Sequence, residues 1–243
     1  MRLTKVLKAT ISKDPSIDGS NEDAAVLRLY KDEQRAAVFD GASESFAARR
    51  WSKTLANEWG REQAMDGLWL ERSQARYKNE IDEMNLSWAQ EEAMERGSFA
   101  TIASIEVENE FFKLCIVGDS SIFFIDNRGV RWSYPFQSEV EFSSIPIALS
   151  SRPTALEQNY ELIKKGTKPP ATFLKAIGTR HLLLATDAVS CWLLADDMST
   201  HLTRLFMLFA CKSSEDFHEL VLRERASSAM KIDDSTIILL RID

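Results

Sequence analysis

Cysteine and histidine are both scarce, three of each in 243 residues. Cys115, Cys191 and Cys211 are odd in number, show no C-x-x-C spacing and sit among apolar neighbours. That pattern argues against a disulfide framework and reads as buried free thiols in a reducing cytoplasm. His181, His201 and His218 are isolated from one another, so a zinc site built from His and Cys is not expected. No Ser–His or Cys–His pairing points to a protein nucleophile. Positive charge is in deficit as well: 30 Lys and Arg stand against 37 Asp and Glu, a net charge of −7. A nucleic-acid partner would need a clustered basic surface, and none is expected. The longest apolar run, HLLLATDAVSCWLLA (His181 to Ala195), is interrupted by Asp187 and is too short to span a bilayer. The N-terminal MRLTKVLKATISKD has no signal-peptide core. Internal repeats, low-complexity tracts and linkers are absent too. What is present is an ordinary globular composition, 44% hydrophobic and 28% charged. The expectation is one cytoplasmic, monomeric domain over residues 1–243, with no membrane partner.

Taken in order, residues 2–12 and AAVLRLY (Ala24 to Tyr30) read as strands separated by the acidic, turn-rich KDPSIDGSNED. KDEQR reads as a polar hairpin connection into the strand AAVFD (Ala36 to Asp40). A helix follows to about Arg61, capped by Ser43 or Ser45, with Phe46, Trp51, Leu55 and Trp59 on one face. Met65-Asp66-Gly67 breaks it, and a second helix covers Leu68 to Glu95, burying Leu70, Tyr77, Ile81, Met84 and Trp88 beneath a charged, solvated face. Trp51, Trp59 and Trp88 read as helix-to-sheet packing. SFATIASIEVE, FFKLCIVGD, SIFFID and VRWSYPF make an antiparallel meander, its first two strands joined at Asn109-Glu110. Residues 137–170 read as an irregular flap. LLLATD returns to a strand, helices cover Val189 to Cys211 and Ser214 to Ser227, and Asp196-Asp197 begin or interrupt the first of these. The chain closes on the strand STIILLRI. The fold class is α+β, with helix pairs covering antiparallel sheet.

Acidic residues recur at strand ends. Asp40 ends AAVFD, Asp119 follows LCIVG, Asp187 follows LLLAT, Asp233-Asp234 precede STIILL, and Asn21-Glu22-Asp23 precede AAVLRLY. Any one of these could simply cap a turn. Together they offer a ring of oxygen ligands suited to hard cations such as Mg²⁺ or Mn²⁺, which need no histidine. Gly41 directly after Asp40 marks a point where backbone is closely approached.

The motifs NEDA (Asn21 to Ala24), VFDGAS (Val38 to Ser43), GSFAT (Gly97 to Thr101), VGDSS (Val117 to Ser121), LLATDAVS (Leu183 to Ser190) and DDSTIIL (Asp233 to Leu239) share order and spacing with one family. The series resembles the metal-dependent protein phosphatases, the type 2C serine/threonine phosphatase family, in a divergent bacterial-type form, from about Asn21 to the C-terminus. The resemblance implies a four-layer α/β/β/α sandwich with two antiparallel sheets. It implies a dinuclear Mn²⁺ or Mg²⁺ centre in which Asp40 bridges both ions, the Gly41 carbonyl binds one, and Asp187 and Asp233 hold the other. Glu22 and Asp23 would act through bound waters, and Asp119 with Asp187 matches a weaker third site. A metal-bridging hydroxide would then hydrolyse phosphoserine or phosphothreonine in a protein substrate, with a cognate Ser/Thr kinase as a further partner.

The chain departs from the family pattern at several points. Asp18 stands where an arginine commonly grips the phosphate, Ala42 where a histidine commonly donates a proton, Ala188 for a glycine and Ser121 for an arginine. Arg49 or Arg50 is the candidate replacement grip. The alternative reading is a weak or inactive phosphatase-like module that binds a phosphoprotein or a kinase.

Overall fold

A strand whose consecutive residues are all apolar is stable only if both its faces are covered. Among the described residues, β3 (Glu33–Gly41), β10 (His181–Ala185) and β11 (Ser235–Ile242) are of that kind, as is the run Ile122 to Ile125. In β3, Ala36 and Val38 point into one core while Ala37 and Phe39 point into another. In β10, Leu182 and Leu184 face away from Leu183 and Ala185, and in β11, Ile238 and Leu240 face away from Ile237 and Leu239. The computed structural model describes residues 2–31, 33–61, 68–108, 111–168, 178–194 and 197–243.

The first sheet runs β1 (Leu3–Ile11), β11, β10, β6 (Ser121–Asp126) and β7 (Gly129–Tyr134). The second runs β2 (Ala24–Tyr30), β3, β4 (Phe99–Glu108), β5 (Phe111–Val117) and β9 (Thr167–Lys168), with β8 (Leu149–Ser150) paired to β4. Every pairing is antiparallel. The sheets stack through Ile122, Phe124, Ile238 and Leu240 on one side and Val38, Ile105, Phe112 and Leu114 on the other. The outer face of the second sheet is covered by α1 (Ala48–Trp59), α2 (Leu68–Asp82) and α4 (Leu156–Gly166). The first sheet is covered by α5 (Asp187–Leu193), α6 (Met198–Ala210) and α7 (Ser214–Ala226). This is the expected α+β, four-layer α/β/β/α sandwich.

Four local expectations fail for physical reasons. Neither Ser43 nor Ser45 caps α1, because both hydroxyls are engaged elsewhere: Ser43 Oγ donates to Glu22 Oε2 (2.5 Å) and Ser45 Oγ to the Ala42 carbonyl (2.7 Å). The helix instead starts after Ala47, in a left-handed conformation (φ 48°). The helix expected over 68–95 is two: Ser87 and Gln90 form a capping box that starts α3 (Trp88–Arg96), in which no residue is buried. Trp88 is 78% exposed and Met84 is also exposed, whereas Trp69, absent from the expected packing set, is fully buried edge-on to Phe39 at 6.5 Å. The 137–170 segment is not irregular: it holds a 3₁₀ turn at Glu139–Ser143, β8 and the eleven-residue α4. Amides add to the packing of Leu156, Leu162 and Ile163 of α4 against the second sheet. Asn159 accepts from the Ser150 N–H (3.0 Å) and donates to its carbonyl (2.8 Å), and Gln74 of α2 donates to the Arg152 carbonyl (2.8 Å). Finally, β3 begins at Glu33 rather than Ala36; the interruption expected at Asp196-Asp197 is found at Asp197, the N-cap of α6 (Thr200 N–H, 2.8 Å). Met65-Asp66-Gly67, Asn109-Glu110 and Asp196 lie outside the described residues.

Among the described residues no helix is long and apolar enough to cross a membrane. Cys115 and Cys211 are buried and Cys191 is half-buried.

The two tryptophans separate core from surface experimentally. Trp69→Ala should cost about 3–5 kcal/mol in denaturant unfolding, as full truncation of a core aromatic does. Trp88→Ala should stay within about 0.5 kcal/mol of the parent.

Candidate functional site

The inter-sheet face of four strands changes from apolar to polar at the same end. Ala36 and Val38 of β3 are followed by Asp40; Ile105 and Ala103 of β4 by Thr101; Leu182 and Leu184 of β10 by Thr186; Leu240 and Ile238 of β11 by Thr236. Asp40 and Thr101 stand opposite each other in register. Where the space between the sheets opens, a polar floor therefore replaces the hydrophobic core.

Threonines tie that floor together. Thr10 and Thr236 hydroxyls meet at 2.6 Å, Thr186 Oγ1 accepts from the Thr236 N–H (3.0 Å), and the same hydroxyl donates to Asp23 Oδ2 (3.0 Å). Asp23 is buried, 4% exposed, and its other carboxylate oxygen, Oδ1, has no hydrogen-bond partner. Burial pushes its carboxyl well above the ordinary range; the charges of Asp234 and Asp187 add to this, against the two threonine hydroxyls. Asp40 is pushed up likewise, by burial first and then by the negative charges of Asp23, Asp187, Asp119 and Asp233. Asp119, buried just past Gly118 in a left-handed turn (φ 96°), is raised to about 6 by burial and by Asp187.

Asp187, the first residue of α5, and Asp233, two before β11, share one cation: Lys231 Nζ lies 2.6 Å from Asp187 Oδ2 and 2.8 Å from Asp233 Oδ2. Burial alone would lower the Lys231 pKa, but these two carboxylates outweigh it and raise it. Glu22 pairs with Lys13 at 2.7 Å. Gly41 is needed for close approach by the chain itself: a Cβ there would lie 2.8 Å from the Glu22 carbonyl oxygen and 2.9 Å from that of Ala48. Among the described residues, no three His, Cys, Asp or Glu side chains converge as a preformed metal-binding group. The aspartates act on one another through charge, and an ion held among them would keep waters in its coordination shell. The donor set, all oxygen, and the partnerless buried Asp23 Oδ1 fit a hard divalent cation.

Of the two candidate grips, Arg50 is paired with Glu80 of α2 (3.3 Å). Arg49 lies over the N-terminal loop, where a Cβ at Gly19 would come within 3.3 Å of its Cζ. Gly19 directly follows Asp18, so the Arg49 guanidinium reaches the loop from which the family's phosphate-gripping arginine comes. Several residues of the site escaped sequence reading. Asp234 is a clasp, accepting from the Lys13 N–H (2.6 Å) and the Glu22 N–H (2.5 Å). Arg225 of α7 donates to the Ser12 carbonyl (2.8 Å) and Ser235 Oγ (3.0 Å), and also to the Asp233 carbonyl, holding the Asp233 turn in place. Thr186 and Thr236 had a legible signal, since each extends an every-second-residue apolar series with a hydroxyl; the long-range clasps had none.

Asp119 predicts a pH effect in metal-free protein. A carboxyl whose pKa rises on folding binds its proton more tightly in the native state, so its contribution is present below the unfolded value near 4 and is lost as pH rises through about 6. Asp119→Asn should therefore gain stability over the parent as pH rises from about 4 to 7, by on the order of 2 kcal/mol, read by thermal melts with chelator present. A pH-independent difference would contradict this.

No family model and no curated protein sequence matches the chain. Solved structures do. The serine/threonine phosphatase Stp1 from Staphylococcus aureus is 19% identical with a TM-score of 0.57, covering 100% of this chain and 98% of its own. The Mycobacterium tuberculosis serine/threonine phosphatase PstP is 15% identical with a TM-score of 0.60, both chains covered completely at 100%. A second structure of the PstP catalytic domain, 15% identical over 100% of this chain and 99% of that one with a TM-score of 0.59, is a complex with 2 manganese ions. The resemblance read from the motifs is thus matched in three dimensions over the full length, and the chain has the fold of the metal-dependent, type 2C serine/threonine phosphatases.

Proposed function

We propose that this chain is a metal-dependent phosphoprotein phosphatase, one domain over residues 1–243, acting on phosphoserine or phosphothreonine. The observation that carries the reading is the ring of aspartates around Asp40 at the open end of the sandwich, with Asp23 Oδ1 buried and partnerless beside it. Asp40, the Gly41 carbonyl, Asp187 and Asp233 would hold two Mn²⁺ or Mg²⁺ ions. Asp119 with Asp187 would offer a weaker third position, and Glu22 and Asp23 would act through bound waters. When bound, such ions lower the pKa of water and offset charge on the phosphoryl oxygens.

The chain's own residues do the rest. Thr186 orients Asp23, while Asp234 fixes the Glu22 backbone, so both acids of the NEDA motif are held before any ligand arrives. Arg225 and the Ser235 hydroxyl, both donating to the Asp233 carbonyl, hold that carboxylate at the cleft. Arg49 of α1, its guanidinium against the Gly19 loop, supplies positive charge for the phosphate where Asp18 cannot. Ala42 offers no proton, so the leaving oxygen is protonated from solvent. Phosphoryl transfer by positioning and charge needs no protein nucleophile.

A second reading, a phosphoprotein- or kinase-binding module without turnover, is favoured by the Lys231 ammonium between Asp187 and Asp233. Hydrolysis of p-nitrophenyl phosphate and of a phosphothreonine peptide separates the two. Turnover should require added Mn²⁺, vanish on chelation, and vanish in Asp40→Ala and Asp187→Ala. Activity surviving either substitution would sink the dinuclear reading, and tight Mn²⁺ binding without turnover would select the module. Arg49→Ala should raise KM for the peptide several-fold with metal affinity intact, whereas Arg50→Ala should change neither.

A further inference from the structure

Lys231 is placed differently from an ordinary surface lysine. Its ammonium reaches two acids from distant parts of the chain, Asp187 at 2.6 Å and Asp233 at 2.8 Å. Both belong to the same proposed metal position. An isolated exposed ion pair contributes little to stability, but here one point charge is bonded to both side-chain ligands assigned to a single ion. Lys231 thus closes the Asp187–Asp233 side of the ring and Lys13 pairs with Glu22, while Asp23, Asp40 and Asp119 have no ion pair among the described residues.

The backbone around Lys231 is anchored. Met230 is buried in the core between the first sheet and its helices, and the Asp233 N–H donates to the Lys231 carbonyl (3.1 Å). The side chain itself is 54% exposed, so the ammonium can leave for solvent by rotation about its own bonds, with no movement of the turn.

Resting on the metal-centre reading above, we propose that Lys231 is a resident counter-cation: the Asp187–Asp233 position takes a divalent ion only by displacing it. The two metal positions then fill unequally, the one served by Asp40 and the Gly41 carbonyl first. The Asp187–Asp233 position is held in reserve and fills only when metal is abundant. A dipositive ion and an ammonium a few ångströms apart repel strongly even at an effective dielectric of about 20, so they do not share the position, and the ion enters only as Lys231 gives up both carboxylate contacts.

The test is titration of the full chain with Mn²⁺ alone by isothermal calorimetry, for the parent, Lys231→Met and Lys231→Arg, each checked as folded by circular dichroism. The parent should show two unequal steps. Lys231→Met, which keeps the stem and removes the charge, should tighten the weaker step about tenfold or more and leave the stronger step within a few-fold. Lys231→Arg, which keeps the charge, should retain the weak step. Superimposable isotherms for parent and Lys231→Met would overturn the proposal and leave the metal centre standing. Failure of every folded variant to bind Mn²⁺ would overturn both.

Discussion

Crowded negative charge is the constraint on which this molecule turns. Asp40 lies at the end of an apolar inter-sheet face, where water is scarce, and Asp23, Asp119, Asp187 and Asp233 all press their charge on it. Like charges in a partly desolvated space are held together only if the surrounding structure is worth more than their repulsion. That surplus comes from the three apolar layers, two outside the sheets and one between them. The sandwich acts as a rigid frame that forces acids together at one rim, and a divalent cation is the species proposed to relieve them.

The frame is closed by contacts between chain segments far apart in sequence. β1 and β11 pair along their length, Asp234 clasps the loop carrying Glu22, and Arg225 ties the Asp233 turn to Ser12. The proposed ligands come from separate stretches of chain, at residues 22–23, 40–41, 119, 187 and 233, so no local segment could build the site alone. Two lysines moderate the repulsion from the rim, Lys13 at Glu22 and Lys231 at Asp187 and Asp233.

Much of this was legible in the sequence where one rule dominated. AAVFD and STIILLRI read as strands from their apolar runs, and the resemblance carried by the six motifs implied the four layers. Legibility failed where tertiary contacts overrode local propensity. Ser43 and Ser45 are ordinary capping residues, yet their hydroxyls are drawn to Glu22 and Ala42. Trp88 reads as a packing residue, but the Ser87–Gln90 capping box starts a short helix that buries nothing. Helix α4 has few apolar positions, chiefly Leu156, Leu162 and Ile163, and the pairing of its Asn159 amide with the Ser150 backbone has no local signature. Asp234 and Lys231 were visible only as charges beside Asp233, since Glu22 lies 212 residues from Asp234 and Asp187 lies 44 from Lys231.

The most direct measurement is the thermal stability of Asp40→Asn beside the parent at pH 7.5, with and without Mn²⁺. Removing the central charge should raise the melting temperature of the metal-free protein and abolish its response to Mn²⁺, while the parent should be stabilised by the ion. An Asp40→Asn protein that melts lower than the metal-free parent, or that still gains stability from Mn²⁺, would contradict the account.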